Sequence, residues 1–144
     1  MSDKVDDIAV IGMACRFPGQ SHNPQKFWEL LVNGYDGIQE IPKNHFNVKA
    51  FYTSPETFNK INSPYGGCLE DIDQFDAEFF KITPKEAIMM DPQQRIILEV
   101  CWEAFENAYI NPKTLKKSDT SFFVGVSSSD YIRLLEKYGT EEDF

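Results

Sequence analysis

Two short apolar runs place the strongest constraint on this chain. Ile8-Ala9-Val10-Ile11 and Phe122-Phe123-Val124-Gly125-Val126 carry no charge and are rich in β-branched or aromatic residues. Apolar character that is continuous rather than alternating marks a strand covered on both faces. Helical patterns lie between and after the runs. The order is therefore strand, helix, irregular stretch, helices, strand, helix, which predicts an α/β fold with a parallel sheet and crossover helices. Two strands cannot cover two faces and two edges, so the expected sheet is incomplete.

The helices carry their own punctuation. Asn23 caps and Pro24 opens a first helix with Phe27, Leu30 and Leu31 on one face, and Gly34 ends it. Residues 35–70 are irregular, with Pro42, Pro55 and Pro64 among the aromatics Phe46, Phe51, Tyr52, Phe58 and Tyr65. So long a stretch is expected to be functional or to pack on a neighbour. A short helix is expected at Asp76, within the cluster Ile72, Phe75, Phe79 and Phe80. Thr83-Pro84-Lys85-Glu86 spells a capping box for a helix through about Met90. Asp91-Pro92 starts the strongest element, a helix to about Tyr109. Ile97, Cys101, Ala104, Phe105 and Ala108 share one face of it, and Ile96, Val100 and Trp102 widen the apolar side, predicting burial around most of its circumference. Arg95 and Glu99 stand four apart, as an ion pair would require. Ser127-Ser128-Ser129-Asp130 caps a last amphipathic helix through Tyr131, Leu134, Leu135 and Tyr138, which Gly139 stops.

Charge narrows the partners. Fourteen basic against 23 acidic residues leave a net charge of −9, which repels phosphate backbones and anionic lipid and argues against nucleic acid or membrane. The amino terminus lacks a basic segment followed by an apolar one, and no run approaches the ~18 apolar residues of a membrane span. A cytoplasmic protein is expected. Twelve Phe, six Tyr and two Trp supply enough apolar area for a core.

The chemistry-bearing residues form no recognisable site. Gly12 and Gly19 follow the first run, but Ala14, Phe17 and Pro18 break the G-x-G-x-x-G spacing that cradles a dinucleotide. Cys15, Cys68 and Cys101 are too widely spaced for a zinc site or a disulfide framework. Cys101 sits mid-face in a helix, and Cys68 precedes Glu70 and Asp71, which disfavour a thiolate. His22 and His45 lie in loops. Asp71, Asp73, Asp76 and Glu78 lack calcium-loop spacing and are interleaved with Ile72 and Phe75, as in a structural turn. Lys113, Lys116 and Lys117 form a small basic cluster, of the kind that is usually solvated surface. No catalytic, cofactor-binding or metal-binding residue is assigned.

Several segments together resemble the ketosynthase domains of modular polyketide synthases. They are Ile8 through Gly19; Phe27-Trp28-Glu29-Leu30-Leu31-Val32-Asn33-Gly34; Gly66-Gly67 with Asp71 through Phe80; Met90-Asp91-Pro92-Gln93-Gln94-Arg95 continuing into Leu98-Glu99-Val100 and Trp102-Glu103-Ala104; and Phe123-Val124-Gly125-Val126 with Asp130-Tyr131. They stand in the family's order over nearly the whole chain. Departures are mild: the family usually has Phe at Cys68, Gly at Lys81, and Ser-Pro-Arg-Glu-Ala where this chain has Thr83 through Ala87. The resemblance implies a thiolase-like fold of two α/β halves in a five-layered sandwich, usually dimeric, of which residues 1–144 are the amino-terminal part with a short leader at 1–6. It implies decarboxylative Claisen condensation of acyl and malonyl thioesters on an acyl carrier protein, using one Cys and two His. None of these carries over, since they lie beyond the second apolar run. Cys15 matches a family position that is not the nucleophile. The resemblance therefore implies a fragment inactive alone, with a carrier protein or a complementary chain as partner, and exposed strand edges predict aggregation in isolation.

Overall fold

Three α-helices among the described residues begin the same way, with a polar cap followed by proline. Proline presets the helical φ and lacks the N–H that would be orphaned in the first turn. Asn23 accepts from Lys26 N–H at 2.8 Å and opens α1, Pro24–Val32. Thr83 opens α2, Pro84–Met89, and Asp91 opens α3, Pro92–Asn107, by accepting from Gln93 N–H at 2.9 Å. A fourth helix, α4, spans Asp130–Tyr138. The only regular ladder among the described residues is a short antiparallel pair, β1 (Gln39–Glu40) with β2 (Tyr65–Gly66), in register Gln39↔Gly66 and Glu40↔Tyr65. The computed structural model describes residues 7–42, 63–127 and 130–138. His45, the aromatics from Phe46 to Phe58, Ser128 and Ser129 of the α4 cap, and both chain ends lie outside these residues.

The chain divides into two units, residues 15–74 and residues 1–14 with 75–144. The first is arranged around Pro18. The turn Pro18-Gly19-Gln20 closes a bridge between Phe17 and Ser21, with Gly19 at φ +81° and Gln20 at +61°. Gly37 and Gly67 both meet this proline: a Cβ at Gly37 would stand 3.2 Å from the Pro18 carbonyl oxygen, and one at Gly67 would stand 3.0 Å from its ring. Those two glycines border β1 and β2, and Ile41 N–H donates to the Pro64 carbonyl at 2.9 Å to extend the pair. Gly34, at φ +61°, ends α1 as expected, with its N–H on the Leu31 carbonyl.

In the second unit α3 is the spine. Every residue from Arg95 to Phe105 is partly covered and none is fully buried. The short helix expected at Asp76 is a single hydrogen-bonded turn: the Asp76 carboxylate accepts from Phe79 N–H at 2.9 Å, and Lys81 closes the turn at φ +59°. Phe75, Phe79, Phe80 and Trp102 join in an aromatic cluster. The Arg95 guanidinium lies 5.8 Å from the centre of the Tyr131 ring, whose hydroxyl donates to the Ile88 carbonyl at 2.7 Å.

The largest departure from the sequence-based expectation concerns the two apolar runs. Neither is a strand and neither is buried: Ile8, Val10, Phe122 and Phe123 are 96, 78, 70 and 91% exposed. Hydrophobic pattern selects a strand only where a neighbour supplies the ladder. Among the described residues nothing pairs with either run.

Candidate functional site

The three cysteines are all half-buried and none is bridged. Cys101 lines an apolar cavity of about 210 Å³ with Ile11, Gly12, Ala104, Phe105, Ala108 and Ile110. Burial pushes its thiol above the ordinary range, the opposite of what a nucleophile needs. The lining contains no base. Cys101 behaves as the core residue its place on the helix face predicts.

Cys15 and His22 are tied to Arg16 through the backbone. One guanidinium nitrogen donates to the Cys15 carbonyl at 3.1 Å and to the His22 carbonyl at 2.7 Å. Arg16 thus buckles the 15–22 loop, and the exposed His22 contributes its carbonyl to this contact. Ser21 is fully buried, and its hydroxyl has no hydrogen-bond partner. Cys68 stands next to Gly67, on the Pro18 contact. Asp71 lies at φ +51° with its carbonyl accepting from Gln74 N–H at 3.0 Å, and Asp76 caps its own turn. These acidic residues act in turns, and among the described residues no group of three His, Cys, Asp or Glu could hold a metal ion.

Gly12 is placed by packing. A Cβ there would stand 2.7 Å from the Ala108 Cβ and would also strike the Ala104 carbonyl oxygen. Met13 N–H donates to Asn107 Oδ1 at 3.0 Å alongside. The glycine lets the end of the first apolar run lie on the last turn of α3.

Two larger grooves flank Lys81 and Ile82. One, of about 430 Å³, is lined by these with Glu86, Met89, Met90 and Gln94; the other, of about 410 Å³, by these with Ala77, Glu78, Thr83 and Pro84. Glu86 is committed to the capping box: it accepts from Thr83 N–H at 3.0 Å and from the Thr83 hydroxyl at 2.8 Å, which hold its carboxyl below the usual range. Lys113, Lys116 and Lys117 are exposed on and after a 3-10 turn, Pro112–Leu115. Arg95 was not singled out as a site residue by the sequence pattern. Its Nε is buried without a hydrogen-bond partner. No helix among the described residues is long and apolar enough to cross a membrane.

Known proteins place this arrangement. Residues 5–143 match the family model of the beta-ketoacyl synthase N-terminal domain. A phenolphthiocerol/phthiocerol polyketide synthase protein of Mycobacterium bovis is 45% identical over 131 residues, which are 90% of this chain and 7% of that protein. Among solved structures, the oxazolomycin ketosynthase domain of Streptomyces albus superposes with a TM-score of 0.72 at 33% identity, over 78% of this chain and 20% of that one. The ketosynthase from module 6 of the bacillaene synthase of Bacillus subtilis gives 0.67 at 40% identity, over 76% of this chain and 18% of that one. The chain thus spans a fifth or less of the length of each of these proteins, with the thiolase-like architecture represented only in part. It belongs to the beta-ketoacyl synthase family and corresponds to the N-terminal portion of a polyketide-synthase ketosynthase domain.

Proposed function

We propose that this chain supplies the amino-terminal scaffold of a cytoplasmic ketosynthase that condenses acyl and malonyl thioesters held on an acyl carrier protein, and that the chain itself contributes no catalytic residue. The reaction needs a thiolate to take the acyl group and imidazoles to promote decarboxylation and stabilise the charge that follows. The observation that carries the reading is the match of residues 5–143 to the beta-ketoacyl synthase N-terminal domain, together with the likeness to solved ketosynthases. The environment of Cys101 supports it, since its thiol is raised by burial among apolar side chains. What these residues do for the reaction is structural: α3 and the Phe75–Trp102 cluster form a packed platform.

The test has two arms. The chain alone, mixed with acyl- and malonyl-loaded carrier protein, should release no carbon dioxide and form no β-ketoacyl product. A chimera in which the chain replaces the matching segment of the Bacillus subtilis module 6 ketosynthase should condense. Turnover by the chain alone that is lost on Cys15→Ala, Cys68→Ala or Cys101→Ala would overturn the assignment.

A second reading, a binding module for the carrier protein, has one observation in its favour. Lys113, Lys116 and Lys117 are exposed together in a chain of net charge −9, a local attraction for an acidic partner. Retention of carrier protein at low salt, abolished by K113E/K116E/K117E, would support it.

A further inference from the structure

We propose that Asn33-Gly34, at the end of α1, is a site of spontaneous deamidation, and that the reaction unlatches the last turn of that helix. The proposal is independent of the reading given under Proposed function.

The chain contains one Asn-Gly dipeptide, Asn33-Gly34, and one Asp-Gly dipeptide, Asp36-Gly37. Both sequences favour ring closure to a succinimide, because glycine puts no side chain in the way of its own nitrogen. At the first, the Gly34 nitrogen attacks Asn33 Cγ. The N–Cγ bond forms and the Cγ–Nδ2 bond breaks. The Gly34 amide proton passes through solvent to the departing nitrogen, which leaves as ammonia. Water then opens the ring at either carbonyl and gives aspartate or isoaspartate.

The fold treats the two dipeptides differently. Gly37 lies against Pro18, where a Cβ would stand 3.2 Å from the proline carbonyl oxygen. Asp36 Oδ1 accepts from Ile38 N–H at 2.9 Å. Turning the Gly37 nitrogen onto the Asp36 carboxyl carbon would break that bond and move a packed backbone. Asn33 and Gly34 are exposed instead, and a Cβ at Gly34 would meet nothing within 4 Å.

What holds Asn33 and Gly34 is the C-cap of α1. Gly34 N–H donates to the Leu31 carbonyl at 3.2 Å and Tyr35 N–H to the Leu30 carbonyl at 3.0 Å, the paired bonds of a Schellman motif. Asn33 Nδ2 donates to the Glu29 carbonyl at 2.8 Å. The attacking nitrogen and the departing one are both tied to the last turn, and both come free when that turn frays. Helix ends open at little cost, so the reaction proceeds in the folded chain. Its products do not rebuild the cap. An aspartate side chain has no donor for the Glu29 carbonyl and puts a charge at the negative end of the helix dipole. Isoaspartate lengthens the main chain and shifts Gly34 and Tyr35 out of register with Leu31 and Leu30.

The test follows both dipeptides by peptide mass spectrometry with isoaspartate detection, in the chain incubated at pH 8 either folded or in urea. Asn33 should deamidate about tenfold more slowly folded than in urea, and Asp36 should isomerise at least about 100-fold more slowly. Tyr35 and Leu30 both lie over Gly19, 3.0 and 3.1 Å from where its Cβ would stand. Tyr35→Ala removes that packing and leaves the dipeptide unchanged, so it should raise the folded-chain rate at Asn33 at least about threefold while Asp36 stays protected. Equal protection of Asn33 and Asp36 overturns the proposal, as does a parent-like Asn33 rate in Tyr35→Ala. If Tyr35→Ala exposes Asp36 as well, Asn33→Asp decides: a melting temperature below the parent's supports the unlatching, and an unchanged one overturns it.

Discussion

Phe79 meets the Trp102 indole edge-on, with ring centroids 4.8 Å apart and planes at 89°. This contact joins the Asp76 turn to the middle of α3, and Phe80 reaches the same indole at 6.4 Å. The indole N–H also donates to Glu106 Oε1 at 2.7 Å, one turn further on. Trp102 therefore links a turn, an aromatic cluster and its own helix. Because its surroundings are only half-buried, Trp102→Ala should cost about 2 kcal/mol, less than a fully enclosed tryptophan. A double-mutant cycle of Phe79→Ala with Trp102→Ala, followed by urea denaturation, should give a coupling of about 1 kcal/mol.

Gly12 yields a sharper expectation. The Ala104 carbonyl oxygen and Ala108 Cβ occupy the space a side chain would need, and the carbonyl belongs to a helix that cannot shift cheaply. Gly12→Ala should therefore destabilise the chain by about 1–3 kcal/mol. Gly125, where a Cβ would meet nothing within 4 Å, is the control, and Gly125→Ala should leave the melting temperature nearly unchanged.

These glycines show which parts of the fold can be read locally. The caps Asn23, Thr83 with Glu86, and Asp91 are legible because each donor and acceptor lie within three residues, and the Gly34 stop is legible because only backbone conformation is at stake. Gly12 looks the same as Gly34 in the sequence, yet its role depends on Ala104 and Ala108, some ninety residues away. The β1–β2 pair is equally non-local, held by Gly37 and Gly67 against Pro18. The contact of Arg95 with the Tyr131 ring is non-local too, joining residues 36 apart in the chain, and no local spacing rule announces it. The runs at Ile8 and Phe122 carry a valid strand signal, but a ladder needs a neighbour that sequence pattern alone does not provide. For the candidate site, motif order across the whole chain revealed the family, whereas individual cysteines, histidines and carboxylates suggested no chemistry of their own.

Lys81 closes the Asp76 turn at φ +59°, a conformation that crowds any Cβ. Lys81→Gly should stabilise the chain by about 0.5–1 kcal/mol, the relief of strain exceeding the added entropy of the unfolded chain. Tyr109, at φ +56° and 98% exposed, gives up no packing, and Tyr109→Gly should act in the same direction. Lys81→Val should do the opposite, since β-branching worsens the crowding. Thermal melts of the three variants check the set.

Cys101 should react more slowly in the native chain than in the unfolded one. Desolvation raises its folded-state pKa, so less thiolate is present at a given pH, and the cavity walls hinder access. Iodoacetamide at pH 8 should modify Cys101 at least about tenfold more slowly in the native chain than in urea, as read by peptide mass spectrometry. Equal rates would mean that the 101–108 face opens freely.

The capping box gives the pH dependence. Glu86 is held below its ordinary value of 4.5 first by Thr83 N–H and then by the Thr83 hydroxyl, against a smaller opposing effect of desolvation. A carboxyl depressed in the folded state binds its proton more readily once unfolded, so the unfolded chain gains on acidification. The contribution is complete above the unfolded value and disappears as pH falls through the folded one. The stability difference between the parent chain and Glu86→Gln should therefore be flat from neutral pH to about pH 5.5 and shrink below it. Thr83→Ala removes the hydroxyl but keeps the N–H, so part of the slope should survive. A parent and Glu86→Gln pair whose acid limbs run parallel would show that the reciprocal bonds between Thr83 and Glu86 do not persist in solution.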